Sequence, residues 1–341
     1  MLTYVWSDDC LRHEPEAEIW VGTRTPATEV PARAVAIRGE LVAIEAHEVA
    51  AVAHDDDALL AVHDPALVEF LRTAWDEWAA ASLPSDRVVP YVFAREELTS
   101  GREPATPTAT WARPGLFAYD TMTLIGPGTW EAARAAVDVA LTAVDLVADG
   151  APLAYACTRP PGHHVTRSLY GGSCYLNNTA IAAAALLDHL GGPVAVVDID
   201  AHHGNGTQEL FLGRTDVLTA SVHVDPGAGW FPHFLGFASE NDEGNLNLPL
   251  APGTGNLGWL AAARKAADFA ASARALVVAL GVDAAAGDPE SPLEVSAAGY
   301  REAGRILGDL GLPTVVVQEG GYDLATIGPL VVEMLRGLAT V

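Results

Sequence analysis

Apolar residues crowd the second half of the chain in two rhythms. Short, almost wholly apolar runs occur at Leu153–Cys157, Val194–Ile199, Val217–Val222, Leu276–Leu280 and Thr314–Val317. Each is closed by polar or glycine-rich residues and predicts a buried strand. Trp130–Ala148 carries Val137, Ala140, Leu141, Val144 and Val147 at helical spacing. Asn178–Leu190, Leu257–Ser272, Ser296–Leu310 and Gly328–Leu338 predict further helices. Strands that alternate with helices, each strand apolar on both faces, imply a parallel sheet covered on both sides. The first 125 residues look irregular. Prolines at 15, 26 and 31 break Glu14–Arg33, and prolines at 84, 90, 104, 107 and 114 break Leu83–Gly115. Both segments predict long loops, which meet a partner or a site when they occur in a compact domain. No repeat divides the chain, and 1–341 reads as one catalytic domain.

A parallel sheet carries its chemistry at the carboxyl ends of its strands. That rule selects Arg159-Pro160-Pro161-Gly162-His163-His164, Asp200-Ala201-His202-His203-Gly204-Asn205-Gly206, Ser221 with His223, Gly281-Val282-Asp283, and Gln318-Glu319-Gly320-Gly321-Tyr322-Asp323. Asp200 and His202 alternate along an extended strand end, so both side chains project to one side. Asp283 offers a third donor from another strand end. Two carboxylates and one imidazole suit a catalytic Zn2+ with a position left for water; Fe2+, Co2+ or Mn2+ also fit such a set. Water bound to such an ion becomes acidic enough to attack an amide carbonyl. His163 and His164 supply a base and an acid. Asp198 is the expected partner of His163 and keeps it protonated. Asn205 is the expected partner of His164 and, being neutral, leaves it the weaker base and the proton shuttle. Tyr322, after two glycines, is placed to donate to an oxyanion.

Charge changes the list of partners. The chain of 341 residues has 19 basic and 44 acidic side chains, a net charge of −25, and a single lysine, Lys265. Phosphate backbones and anionic membrane surfaces need a basic face, so nucleic acid and membrane are excluded and cationic ligands are favoured. Three cysteines, Cys10, Cys157 and Cys174, have no framework spacing and fit a reducing, cytoplasmic setting. The start of the chain lacks a basic segment followed by an apolar run, so no signal peptide is expected.

Arg159–His164, Gly171–Asn178, Asp198–Gln208, Gly281–Pro289 and Glu319–Asp323 together resemble the histone deacetylase superfamily, in the family's order. Phe231–Gly236, Pro127–Ala132, His63-Asp64 and the Glu14–Arg33 segment most resemble its bacterial acetylpolyamine amidohydrolase branch. The resemblance implies an arginase/deacetylase-like three-layer α/β fold and hydrolysis of an N-acetyl amide to acetate and a free amine. It implies zinc on Asp200, His202 and Asp283, the paired histidines His163 and His164, and Tyr322 as the carbonyl-polarising group. It also implies structural K+ near Asp198, Asp200, His202, Ser221 and Val222. Gly172, Phe231 and Asp120 become substrate contacts, with Asp120, helped by Glu103, as the acidic rim group that holds the amine. The 14–33 segment is expected to narrow the entrance and build a homodimer. One departure stands out: Ser173 occupies a position where the family has an aromatic tunnel wall.

Two other readings compete. A two-manganese ureohydrolase of the arginase type needs further carboxylates to bridge its metals and gives Gly162-His163-His164 and Gly320-Gly321-Tyr322 no role. A non-catalytic binding protein on the same fold predicts loss of a ligand or of Tyr322, and neither is missing.

Overall fold

The computed structural model describes residues 2–339. Its centre is an eight-stranded sheet of β1 (Thr3–Trp6), β4 (His47–Ala50), β5 (Leu153–Ala156), β6 (Val194–Asp198), β7 (Val217–Val224), β8 (Asn245–Leu250), β9 (Ala275–Leu280) and β10 (Thr314–Gln318). The order across the sheet is β4-β1-β5-β10-β9-β6-β7-β8, and every neighbouring pair is parallel. A separate antiparallel hairpin joins β2 (Ala17–Trp20) to β3 (Thr23–Pro26).

The apolar strands split their side chains between two cores. Val194 and Val196 enter one core, while Ala195, Val197 and Ile199 enter the other. Ala275 and Val277 oppose Leu276, Val278 and Leu280 in the same way. The first core is covered by α3 (Pro65–Ala80), α6 (Thr129–Ala148) and α7 (Asn178–Leu190). The second is covered by α1 (Ala32–Ala43), α9 (Asn256–Ala270), α10 (Ala297–Gly308) and α11 (Ile327–Leu338). This is the three-layer α/β fold expected from the alternation. The expected helices start where caps allow: the Asn177 side chain accepts Ala180 N–H at 2.9 Å before α7, and Ser296 caps α10.

The first 125 residues differ from expectation. Glu14–Arg33 is not a plain loop: it holds the β2–β3 hairpin and the start of α1. Leu83–Gly115 carries short turns of helix, α4 (Glu96–Thr99) and the start of α5 (Pro114–Phe117), within an otherwise irregular path. Between them, α2 (Asp57–Val62) and α3 are regular. In α3, Asp64 caps the helix, Pro65 opens it, and Leu67, Val68, Phe70, Leu71, Ala74 and Trp78 are buried. Proline at the first helical position favours a helix rather than breaking it. Among the described residues no helix is long and apolar enough to cross a membrane.

His63 ends α2 inside the first layer. Its Nδ1 lies 3.0 Å from the Thr166 carbonyl and its Nε2 accepts Asn177 N–H at 2.9 Å, so the ring is neutral with its proton on Nδ1. Burial pushes its pKa from 6.5 down to about 4. The unfolded chain therefore takes up a proton that the fold refuses between those values. This contribution to stability is complete above about pH 6.5 and is lost as pH falls toward 4, at up to about 1.4 kcal/mol per pH unit. His63→Gln is expected to lower stability at pH 8 and to flatten the decline between pH 6.5 and 4. Urea unfolding across that range measures it; equal slopes in both proteins would remove His63 as an acid-sensitive group.

Candidate active site

The carboxyl ends of β5, β6, β9 and β10 meet at one edge of the sheet, and the selected residues meet with them. Asp200 and Asp283 follow neighbouring strands β6 and β9, which pair in register. His202 stands between them, its Nδ1 3.2 Å from Asp200 Oδ1 and 3.1 Å from Asp283 Oδ2. Donor atoms of these three residues lie within 4.8 Å of one another. Gly320 N–H donates to Asp200 Oδ2 at 2.7 Å, and Ala201 N–H to Asp283 Oδ1 at 2.7 Å. Burial, and then the charge of Asp200, push Asp283 up to about 7. Burial opposes the charge on Asp200 as well, but His163 and then His202 outweigh it and hold that carboxyl below its usual value. An ionised carboxylate, a second carboxyl raised by its charge and an imidazole between them make a donor set that a divalent cation fits.

The two adjacent histidines stand over this cluster with ring centroids 4.0 Å apart. His163 Nδ1 pairs with Asp198 Oδ2 at 2.8 Å, and His164 Nδ1 with Asn205 Oδ1 at 2.7 Å. Burial opposes a charge on His163, but Asp198, Asp200 and Glu319 outweigh it and raise its pKa to about 10. Burial, then the neighbouring His163 and His202, drive His164 well below its usual value. One ring is therefore an imidazolium and the other a free base. Tyr322 is half-buried, with the Arg33 guanidinium 4.6 Å from its ring centroid. Burial raises its pKa well above 10, so the phenol keeps its proton.

Gly172 and Phe231 both lie against His164. The Phe231 ring meets His164 edge-on at 4.8 Å. It also stacks at 6.2 Å on Tyr119, an aromatic that the sequence reading passed over. Ser221, inside β7, which runs on to Val224, is in register with Asp198, and its Oγ lies 2.8 Å from His223 Nδ1. Val222 is buried in the same strand.

Asp120 is not the free rim acid that was expected. Oδ1 accepts the Met122 and Thr123 amides at 3.0 and 2.9 Å; Oδ2 accepts the Thr123 hydroxyl at 3.1 Å and Gly172 N–H at 2.6 Å. A carboxylate has about four acceptor positions, and all are used within the chain. Asp120 thus holds Gly172 rather than presenting a carboxylate to an amine. Glu103 is exposed beyond α4. The acid that the hairpin brings in is Glu18, raised to about 7 by burial and then by Glu290 and Asp120. Glu18, His13, Glu29, Met122, Ser173 and Tyr175 line a narrow cleft beside the hairpin.

Two further groups escaped the sequence reading. Glu319 Oε2 accepts the Gly162 and His163 amides at 2.6 and 3.1 Å and so fixes the histidine loop. Arg33 donates to the Gly321 and Glu319 carbonyls at 2.5 and 2.6 Å and pairs with buried Glu29 at 2.8 Å. Glu319 stood inside a motif already singled out; nothing in the sequence linked Arg33 to a loop nearly 300 residues away.

Comparison with known proteins agrees with this geometry. Residues 27–338 match the histone deacetylase domain, and the chain belongs to the histone deacetylase family and is a hydrolase of that family. Acetylpolyamine amidohydrolase 1 of Pseudomonas aeruginosa is 40% identical, covering 98% of this chain and 97% of that protein. Acetylpolyamine amidohydrolase of Mycoplana ramosa is 37% identical over 98% and 99% of the two chains. The crystal structure of acetylpolyamine aminohydrolase from Burkholderia pseudomallei superposes with a TM-score of 0.93 at 34% identity, covering 100% of this chain and 99% of that one.

Gly172 tests how tightly the histidine is packed. Its φ is +62°, and a Cβ there would overlap the His164 ring. Gly213 has φ +76° with nothing within 4 Å of such a Cβ. The left-handed backbone alone costs about 1–2 kcal/mol for a non-glycine residue. Gly172→Ala is expected to cost at least about 1 kcal/mol more than Gly213→Ala and to displace the His164 imidazole resonances. Urea unfolding and nitrogen NMR of the histidines measure both; equal costs with an unmoved ring would refute the contact.

Proposed function

We propose that this protein is a zinc-dependent amidohydrolase of one catalytic domain that removes the acetyl group from small N-acetylated amines, polyamine-like or acetyl-lysine, releasing acetate and a free amine. The observation that carries this reading is the placement of two imidazoles 4.0 Å apart, one paired with Asp198 and the other with Asn205, over the carboxylate–imidazole–carboxylate cluster. Asp200, His202 and Asp283 would hold the zinc, with Fe2+, Co2+ or Mn2+ as alternatives. The ion's contribution when bound is to polarise the amide carbonyl and acidify water.

The chain's own residues do the rest. His164, unprotonated at neutral pH, takes the proton of the attacking water as its oxygen bonds to the carbonyl carbon. Asn205 holds the His164 ring from Nδ1, leaving Nε2 toward the reacting atoms. The Tyr322 phenol donates to the carbonyl oxygen as it becomes an oxyanion. When the C–N bond breaks, His164 gives the proton to the departing nitrogen. His163, held positive by Asp198, stabilises the negative charge that develops. Phe231, with Tyr119 beside it, and Gly172 flank the acyl chain.

Structural K+ near Asp198, Asp200, His202, Ser221 and Val222 is part of the proposal, supported by the register that sets Asp198 beside Ser221. The apolar hairpin tip supports a homodimer built through residues 14–33: Trp20 is 62% and Val21 80% exposed. The unpaired cysteines support a cytoplasmic setting. The acidic balance supports a cationic substrate and argues against nucleic acid or a membrane as partner.

A panel of acetylated diamines, acetyl-lysine peptides and longer-acyl amides tests the reading. Acetate release that is abolished by a chelator and restored by zinc is expected. Urea release from arginine would favour the ureohydrolase, and no product from any amide would favour a binding protein. Tyr322→Phe is expected to lower kcat by about 10²–10³ with metal content unchanged; undiminished turnover would remove the phenol from the reaction. Rising salt is expected to lower kcat/KM for a cationic substrate and leave a neutral one unaffected, and stopped initial rates at several ionic strengths measure the difference.

A further inference from the structure

Tyr322 follows Gly320-Gly321, a pair with little intrinsic preference for one backbone path. Its ring can be held in one place only if the peptides on both sides of it are held. On the preceding side, Arg33 donates to the Gly321 carbonyl and covers the ring. On the following side stands Asp288, in the Gly281–Pro289 run that also supplies Asp283. Asp288 is 7% exposed. Its Oδ2 accepts the Tyr322 amide at 2.8 Å and the Asp323 amide at 3.2 Å. Its Oδ1 accepts the Glu290 amide at 3.0 Å, which fixes the carboxylate from its own loop. One carboxylate therefore ties the loop after β10 to the loop after β9.

We propose that Asp288 is a positioning residue for Tyr322: by holding the Tyr322 and Asp323 amides it aims the phenol at the Asp200–His202–Asp283 cluster. Hydrogen bonds to an ionised acceptor are shorter and stronger than neutral ones, and two of them converge on consecutive amides here. The geometry is that of a carboxylate capping a turn, except that the turn it caps belongs to another strand. Asp288 touches no reacting atom. It acts through the phenol, and the inference rests on the reading of Tyr322 as the donor to the carbonyl oxygen.

The test uses Asp288→Ala, Asp288→Asn, Tyr322→Phe and the double variant Asp288→Ala/Tyr322→Phe in the full chain labelled with 3-fluorotyrosine. Loss of one fluorine resonance in Tyr322→Phe assigns Tyr322. Asp288→Ala is expected to shift or broaden that resonance in metal-free and in zinc-loaded protein alike. It is expected to lower kcat on an acetylated diamine by at least about tenfold, with KM changed by less than roughly threefold and zinc content unchanged. Asp288→Asn keeps an oxygen for the Tyr322 amide and folds with the same shape, so its kcat falls between the two. In the Tyr322→Phe background, Asp288→Ala is expected to change kcat no further, because a residue that acts through the phenol has nothing left to position. A merely structural role would instead lower both backgrounds equally. An unmoved fluorine resonance, or losses that multiply, would overturn the proposal. Full turnover by Tyr322→Phe with a moved resonance would overturn the reading of the tyrosine; impaired Tyr322→Phe with an unmoved resonance would overturn the role of Asp288 alone.

Discussion

Two carboxylates buried side by side repel each other, and the rest of the site is arranged around that repulsion. Asp200 and Asp283 come from the ends of β6 and β9, neighbours whose pairing leaves no freedom to separate them. Isolated buried charges cost several kcal/mol each unless they are compensated. The fold offers the His202 imidazole between them, two backbone amides to Asp200 and one to Asp283. Those donors leave the pair still electron-rich, as the raised Asp283 shows. Excess negative charge at the bottom of a buried site is what binds a divalent cation, and it is also what holds the imidazolium of His163 nearby.

The same charges divide the labour of the two histidines. Rings 4.0 Å apart do not both become positive at little cost. Asp198 and Asp200 settle the competition in favour of His163, while burial and then His163 and His202 outweigh Asp200 and the neutral amide of Asn205 at His164. A proton shuttle must be unprotonated when water attacks. An aspartate at the end of β6 and an asparagine at the start of the helix that follows thus give two adjacent histidines different proton affinities.

These features were legible because they lie at or within a few residues of the ends of regular strands, although β6 itself stops at Asp198, before Asp200 and His202. The ends of buried parallel strands are readable from apolar runs, so Asp200, His202, Asp283 and the partners Asp198 and Asn205 could be placed before any coordinates. The N-terminal third was not. Its prolines suggested loops, yet Pro114 opens α5, Pro26 ends β3 and Pro31 directly precedes α1. The four-residue strands β1 and β4 have too little pattern to be recognised alone and owe their conformation to the sheet beside them. Asp120 was misread for a related reason: a sequence shows that a carboxylate is present, and not that four donors of the chain already occupy it.

That N-terminal third is part of the chemistry as well as its border. Arg33, from α1, holds the carbonyls of Glu319 and Gly321, and Glu29 is the carboxylate that balances Arg33 and the buried Arg159. Removing Glu29 leaves two buried guanidiniums without their carboxylate. Asp120 likewise fixes Gly172 against His164. A change of substrate therefore cannot be made freely in these residues without disturbing the reacting groups. Ser173 and Glu18 are different. Only the backbone amide of Ser173 is tied down, to Thr123 Oγ1, and Glu18 faces the same cleft from the hairpin. Glu18 and the Ser173 hydroxyl are therefore less tightly coupled to the histidine pair than Asp120 or Arg33, so these side chains can change while the framework around His164 holds.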